Sequence, residues 1–192
     1  MSARILFLQA DDAPPSDMAT VKQVHGDGII AATGTGLQGE ADALITNTPG
    51  LWLGIQTADC LPVVLDAAPH AVGIAHAGWK GVYSAICPKM VRVLCQQYGV
   101  LPADIQVHIG PHISQQHYEV GTEFFDYFAA TYFDGRHLDL QAVVTDQLLD
   151  SGILPAHIHP THTCTFADQR YNSYRRDKTA GRQWSCVSTV IK

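Results

Sequence analysis

Leu51-Trp52-Leu53-Gly54-Ile55, Leu61-Pro62-Val63-Val64-Leu65 and Ala71-Val72-Gly73-Ile74-Ala75 are three apolar runs of strand length in close succession. Runs this short, bounded by turn residues, read as buried strands. Asp66, Ala67, Ala68, Pro69 and His70 supply the turn between the second and third. A hairpin of those two runs brings Cys60, at the start of one strand, beside His76, at the end of its partner. Residues 42–77 as a whole read as several closely spaced strands.

Outward from that block the periodicity changes. A helix is expected over residues 79–98, with Ile86, Met90, Val93 and Leu94 at helical spacing and Gly99 as its stop. Pro88 predicts irregular early turns or a kink. Residues 104–109 read as a strand ending in the Gly110-Pro111 turn. Two further helices are expected at 122–131 and 138–151, the latter striped by Leu140, Val143, Val144, Leu148 and Leu149. A last strand is expected at 185–191. Strands outnumber helices and arrive in local hairpins, so the expected class is α+β, a layered α/β/β/α sandwich with mixed, largely hairpin-connected sheets.

The 192 residues suit a single domain, 1–192. A hydrophobic fraction of 46% with 16% charged residues is globular, and the net charge of −6 argues against a nucleic-acid surface. No run of 18 or more apolar residues exists, which excludes a membrane-spanning helix from the expectation. The first residues lack a secretion signal, and 5 cysteines without disulfide-like spacing suit a reducing cytoplasm. Cys87 and Cys95 lie in the helical stretch and read as core.

The chemistry concentrates in Gln23-Val24-His25-Gly26, Thr57-Ala58-Asp59-Cys60 and His76-Ala77-Gly78-Trp79-Lys80-Gly81. Two imidazoles and one thiolate form a zinc ligand set that leaves a position for water or substrate, as catalytic sites do. Spacing alone does not force His25 to the other two, and an apolar-flanked cysteine is most often a small buried hydrophobe. Asp59 would either orient a histidine or cap a turn. A second group, His157, His159, His162 and Cys164, competes for a metal, but Pro160 interrupts it and a polar strand explains it more simply. His112 and His117 flank the Gly110-Pro111 turn. Arg170, Arg175, Arg176, Lys178 and Arg182 cluster near the C-terminus, where a guanidinium would hold phosphate through paired hydrogen bonds or join a solvated charge run. If Arg175 and Arg176 lie on a strand, at most one faces a pocket. Tyr174 and Trp79 are candidates for stacking on a flat ligand or for the core.

These blocks come in a characteristic order with Ala41 to Thr46 (Ala-Asp-Ala-Leu-Ile-Thr), Ile109-Gly110-Pro111, Tyr118-Glu119-Val120-Gly121, Cys164-Thr165-Phe166, Ser173 to Asp177 (Ser-Tyr-Arg-Arg-Asp) and Thr179 to Arg182. Together they resemble the bacterial YfiH-type family, the laccase-domain or polyphenol oxidase family now regarded as zinc-dependent purine nucleoside phosphorylases. The resemblance runs from about residue 21 onward. It implies His25, Cys60 and His76 as both metal ligands and catalytic centre, with zinc as the ion and copper as the alternative. It also implies purine nucleoside and phosphate as substrates, with adenosine deamination and methylthioadenosine phosphorolysis as further activities. Tyr174, Arg175 and Arg176 are the candidate substrate-binding residues. No nucleic acid or membrane partner is expected, and a homodimer fits the reading. The family's usual N-terminal segment, with its Thr-Arg-x-Gly-Gly stretch, is expected to be shortened here, since Arg4 to Leu8 and the acidic, Pro-rich stretch after it do not match. Three alternatives stand beside this: a Cys–His amidase or deamidase using Cys60 as nucleophile and His76 as base, a copper polyphenol oxidase, and an inactive metal-binding fold.

Overall fold

The computed structural model describes residues 3–189. In chain order the strands are β1 (Arg4–Phe7), β2 (Met18–Lys22), β3 (Ile29–Ala31), β4 (Gly36–Glu40), β5 (Ala43–Thr46), β6 (Trp52–Thr57), β7 (Leu61–Ala67), β8 (Ala71–Ala77), β9 (Gln106–Ile109), β10 (Phe133–Asp134), β11 (His137–Leu138), β12 (Ile158–Pro160) and β13 (Gln183–Ser188). The α-helices are α1 (Trp79–Tyr83), α2 (Ile86–Tyr98), α3 (Leu140–Asp150) and the single turn α4 (Tyr174–Asp177). No helix of the described residues is long and apolar enough to cross a membrane.

The strands form two large mixed sheets, one ordered β1-β13-β6-β2-β4 and the other β12-β9-β7-β8-β5-β3. Ala19, Leu53, Ile55 and Val187 of the first sheet meet Leu44, Val64, Val72 and Ile74 of the second in one apolar layer. The opposite face of the second sheet carries Ile45, Val63, Leu65 and Ala75 against Ile86, Met90 and Leu94 of α2 and Val144 and Leu148 of α3. Each Leu or Ile fully removed from water contributes about 1.5–3 kcal/mol. β7 and β8, buried along their whole length, are apolar on both faces because one packs on strands and the other on helices.

The α+β sandwich is therefore as expected, but its connectivity is less local. β7 and β8 do form the antiparallel hairpin, with Pro62 opposite His76. The first apolar run, β6, pairs instead with β13 and β2 in the other sheet. Between β2 and β7 the chain crosses repeatedly from sheet to sheet, so strand neighbours are mostly distant in sequence, which corrects the largely hairpin-connected expectation.

The helix expected at 79–98 is two helices. Ala85 adopts a left-handed conformation (φ 58°) between α1 and α2. A proline ring clashes with the carbonyl four residues before it, and for Pro88 that carbonyl belongs to Ser84, where the first helix has ended. Gly99 closes α2 as expected, at φ 67° with its N–H on the Cys95 carbonyl. Cys87 is buried and Cys95 packs against the same core. Residues 122–131 give no α-helix but two 3₁₀ turns, Thr122–Asp126 and Ala130–Tyr132. Aromatic residues there point to different neighbours, Phe124 and Tyr127 to Trp79 and Phe125 to Phe133, so no single apolar stripe exists. α3 starts at Leu140 because the Asp139 carboxylate accepts from the Ala142 amide and caps it. The last strand begins at Gln183, and the expected residues 190–191 lie outside those described.

Candidate metal centre

His25, Cys60 and His76 converge, their ligand atoms all within 4.8 Å of one another. Zinc bonds to nitrogen and sulfur are about 2.0–2.3 Å, which puts tetrahedral ligand atoms about 3.3–3.6 Å apart, so an ion would draw these three atoms inward by up to about 1 Å. The hairpin supplies two of them. The third arrives through a carboxylate that the sequence reading missed. β5 lies beside β8 with Ala43 opposite Ala75, which sets Asp42 against His76. The fully buried Asp42 side chain takes His76 Nδ1 at 2.7 Å and accepts from the amides of Val24 (3.2 Å), His25 (3.0 Å) and Gly26 (2.6 Å). One carboxylate thus fixes the His25 loop, where His25 is left-handed at φ 57°, and presents His76 Nε2 to the site.

Two glycines make the room. A Cβ on Gly78 would lie 3.3 Å from Cys60 Sγ and 3.5 Å from His25 Cδ2, inside the space between the ligands. A Cβ on Gly81 would meet the Gly26 carbonyl at 2.8 Å, so only glycine lets α1 approach the His25 loop. The spacing of the His-Ala-Gly-Trp-Lys-Gly block follows from these contacts.

The electrostatics match the donor set. Burial alone would raise the Cys60 pKa, but hydrogen bonds from His25 and His76 bring it down to about 6. Burial would likewise lower His76, yet its bonds to Asp42 and Cys60 raise it to about 9. Asp42, despite burial, is held below the usual carboxylate range by His76 and the Gly26 amide. Both shifts favour a thiolate beside an imidazolium when no metal is bound, and a metal would take the place of the shared protons.

The three residues line a pocket of about 700 Å³, within the range of small-molecule sites. Arg175 and Tyr174 border it, together with Arg182, Tyr118 and Thr57. Arg175 stands on α4, not on a strand. Its Nη1 bonds the carbonyls of His117 (3.3 Å) and Glu119 (2.8 Å), and the guanidinium lies 5.4 Å from the Tyr118 ring. Asp59 turns out to position this helix: it accepts from the Arg175 amide and the Thr165 hydroxyl, each at 2.7 Å, and does not touch a ligand histidine. Arg176 does not face the pocket. Its guanidinium bonds the carbonyls of Thr165, Phe166 and Tyr171 and pairs with Asp177, a structural anchor. Tyr174 is 52% exposed at the rim, whereas Trp79 packs on Phe124 and Tyr127.

The second histidine group does not assemble. Among the described residues, His25, Cys60 and His76 form the group of three or more potential ligands that comes together. His159 bonds Gln106 and His112 bonds the Gly110 carbonyl, while His117 stacks on Phe166. The sequence reading missed Asp42, buried behind His76, and the pocket-lining Tyr118 and Thr57. A lone carboxylate between Ala41 and Ala43, heading an apolar strand, was the available signal for the first.

The family model for multi-copper polyphenol oxidoreductase laccases matches residues 2–190. The purine nucleoside phosphorylase YfiH of Escherichia coli is 32% identical over 186 residues, covering 90% of this chain and 74% of that protein. An adenosine deaminase, RL5, from an unknown prokaryotic organism is 34% identical over 161 residues, 76% of this chain and 61% of that one. The crystal structure of YlmD from Geobacillus stearothermophilus superimposes with a TM-score of 0.84 at 29% identity, covering 92% of this chain and 75% of that one.

Proposed function

This chain belongs to the YfiH-type laccase-domain family, and on that premise we propose that it is a zinc-dependent purine nucleoside phosphorylase that also deaminates adenosine. The observation that carries the reading is the convergence of His25, Cys60 and His76 in a pocket bordered by Arg175 and Tyr174. The donor set and the space preserved by Gly78 suit one metal ion, with a coordination position left for a substrate or water. When bound, zinc supplies Lewis acidity and a water of lowered pKa.

The protein's own groups account for binding and orientation. Tyr174 stacks on the purine face at the pocket rim. Arg175, pinned by two carbonyls, turns the rest of its guanidinium to inorganic phosphate. In phosphorolysis a phosphate oxygen bonds to ribose C1′ as the C1′–N bond breaks, and the base leaves with the electron pair and gains a proton. Tyr118, whose phenol is kept protonated by burial, lines the same pocket as a hydrogen-bond donor to the bound nucleoside, and the proton for the base comes from solvent.

A multi-copper oxidase is less well supported, because electron transfer among several coppers requires more ligand clusters than assemble among the described residues. A Cys60 nucleophile with His76 as base is favoured by the depressed thiol pKa. The test is inosine turnover with phosphate, with and without chelator, scored by ribose 1-phosphate. Phosphate-dependent turnover that chelation abolishes and zinc restores is the expected result. Turnover indifferent to chelator but blocked by iodoacetamide would transfer the role to a Cys60 nucleophile. No turnover of any purine nucleoside would remove the phosphorylase reading.

A further inference from the structure

Asp59 stands between a metal ligand and the pocket arginine, with both carboxylate oxygens committed. It precedes Cys60 in the chain and is 9% exposed. Its φ of 86° is one that residues other than glycine and asparagine adopt mainly where their surroundings impose it. The Asp59 backbone carbonyl accepts from the Ile113 amide at 3.0 Å. One carboxylate oxygen accepts from the hydroxyl of the fully buried Thr165 and the other from the Arg175 amide, each at 2.7 Å.

The start of α4 rests on two side chains. Ser173 accepts from the Arg176 amide, and Asp59, from the loop that carries Cys60, takes the Arg175 amide. The far end of Arg175 is held separately, by the His117 and Glu119 carbonyls. An ion among His25, Cys60 and His76 draws their ligand atoms inward by up to about 1 Å. Movement of Cys60 on that scale reaches Asp59 through the peptide they share. From there it reaches α4, because a short hydrogen bond weakens steeply when stretched or tilted.

We propose that Asp59 couples the two sides of the pocket, so that a metal at His25, Cys60 and His76 and phosphate at Arg175 strengthen each other's binding through this carboxylate. The inference rests on the reading of Arg175 as the phosphate residue. Asp59 is a positioning residue: it acts on one side through the peptide shared with Cys60 and on the other through the Arg175 amide. Such coupling is reciprocal, so the factor by which the metal tightens phosphate is the factor by which phosphate tightens the metal. Attraction between the two charges across the pocket adds to it but requires no Asp59, and substitution separates the two contributions.

Calorimetry with inorganic phosphate on the full chain, metal-free and zinc-loaded, measures the coupling without nucleoside turnover. In the wild type, zinc should tighten phosphate about tenfold, within the ordinary range of such couplings. Asp59→Gly relieves the positive φ and removes both carboxylate bonds; it should keep stoichiometric zinc while the tightening shrinks by at least about threefold. Asp59→Asn tolerates the same φ, still accepts from the Arg175 amide and donates to the Thr165 hydroxyl, so it should restore most of the factor. Competition with a chromophoric chelator reads the reciprocal arm in the wild type, where saturating phosphate should raise zinc affinity by the same factor. A factor unchanged in Asp59→Gly, lost equally in Asp59→Asn, or absent from the reciprocal arm would overturn the coupling. Arg175→Ala tells the two readings apart. If it leaves phosphate affinity unchanged in both metal states, the phosphate role of Arg175 falls and the coupling with it. If it weakens phosphate while Asp59→Gly keeps the full factor, the coupling alone falls.

Discussion

Cys60 and Cys164 each lie against a histidine, and the contrast between them shows how little residue type decides alone. Behind Cys60 stand two imidazoles, one of them backed by the buried Asp42 carboxylate, with Gly78 keeping the centre open. Behind Cys164 stand a hydroxyl, backbone amides and one imidazole stacked on a phenyl ring. The first arrangement offers three convergent ligand atoms and fixes a tautomer. The second stabilises a single sulfur anion and offers no third ligand. The first donor set suits a metal ion, and the second does not.

Exchanging the sulfurs should separate the two regions most sharply. Cys60→Ala should lose bound zinc and all measurable turnover, while Cys164→Ser should keep stoichiometric zinc, both read by elemental analysis and a phosphorolysis assay. Retention of full zinc by Cys60→Ala would collapse the distinction. Asp42→Asn tests whether the carboxylate behind the histidine matters. The asparagine amide would donate to His76 Nδ1 and place the proton on Nε2, so zinc affinity should fall about 10–100-fold, measured by competition with a chromophoric chelator. Unchanged affinity would mean that Asp42 serves only the His25 loop.

The two arginines sharpen the pocket side of the comparison. Arg175→Ala should raise the KM for phosphate about tenfold, the effect of losing roughly 1.4 kcal/mol of charge-assisted hydrogen bonding. Deamination of adenosine should change little. Arg176→Ala should instead lower the melting temperature, since three carbonyls lose their partner. Equal loss of both activities in Arg175→Ala would make it a nucleoside-positioning residue. The smallest effect concerns acidity. In metal-free protein, iodoacetamide labelling of Cys60 should rise by up to about tenfold between pH 5 and pH 7, because its thiol titrates at about 6 and reacts as the thiolate. Added zinc should suppress it. A midpoint near the ordinary thiol value would show that the imidazoles do not hold the thiolate.

What the sequence revealed follows the range of the interactions. The β7–β8 hairpin is local, so alternating turn residues and apolar runs were enough to pair Cys60 with His76. His25 depends on Asp42, and Asp42 depends on β5 lying beside β8, a pairing no local pattern encodes. The sandwich class was legible from the density of strands, but the crossings between sheets were not, because each strand reads alike in either sheet. Residues 122–131 carry helix-compatible hydrophobicity, yet Trp79 and Phe133 draw their aromatics to different sides. For the arginines the expectation that one alone faces the pocket agrees with the geometry for a different reason, a helical turn anchored on Asp59 in place of strand alternation.

The central claim is that two imidazoles and one thiolate of this chain hold a zinc ion. X-ray absorption at the zinc edge on the wild-type protein tests it most directly. The expected spectrum contains one sulfur at about 2.3 Å and two imidazole nitrogens at about 2.0–2.1 Å, with a light atom completing the shell, and the sulfur contribution vanishes in any zinc that Cys60→Ala still binds. Zinc surrounded by nitrogen and oxygen alone in the wild type, or a sulfur shell that survives in Cys60→Ala, would contradict the account.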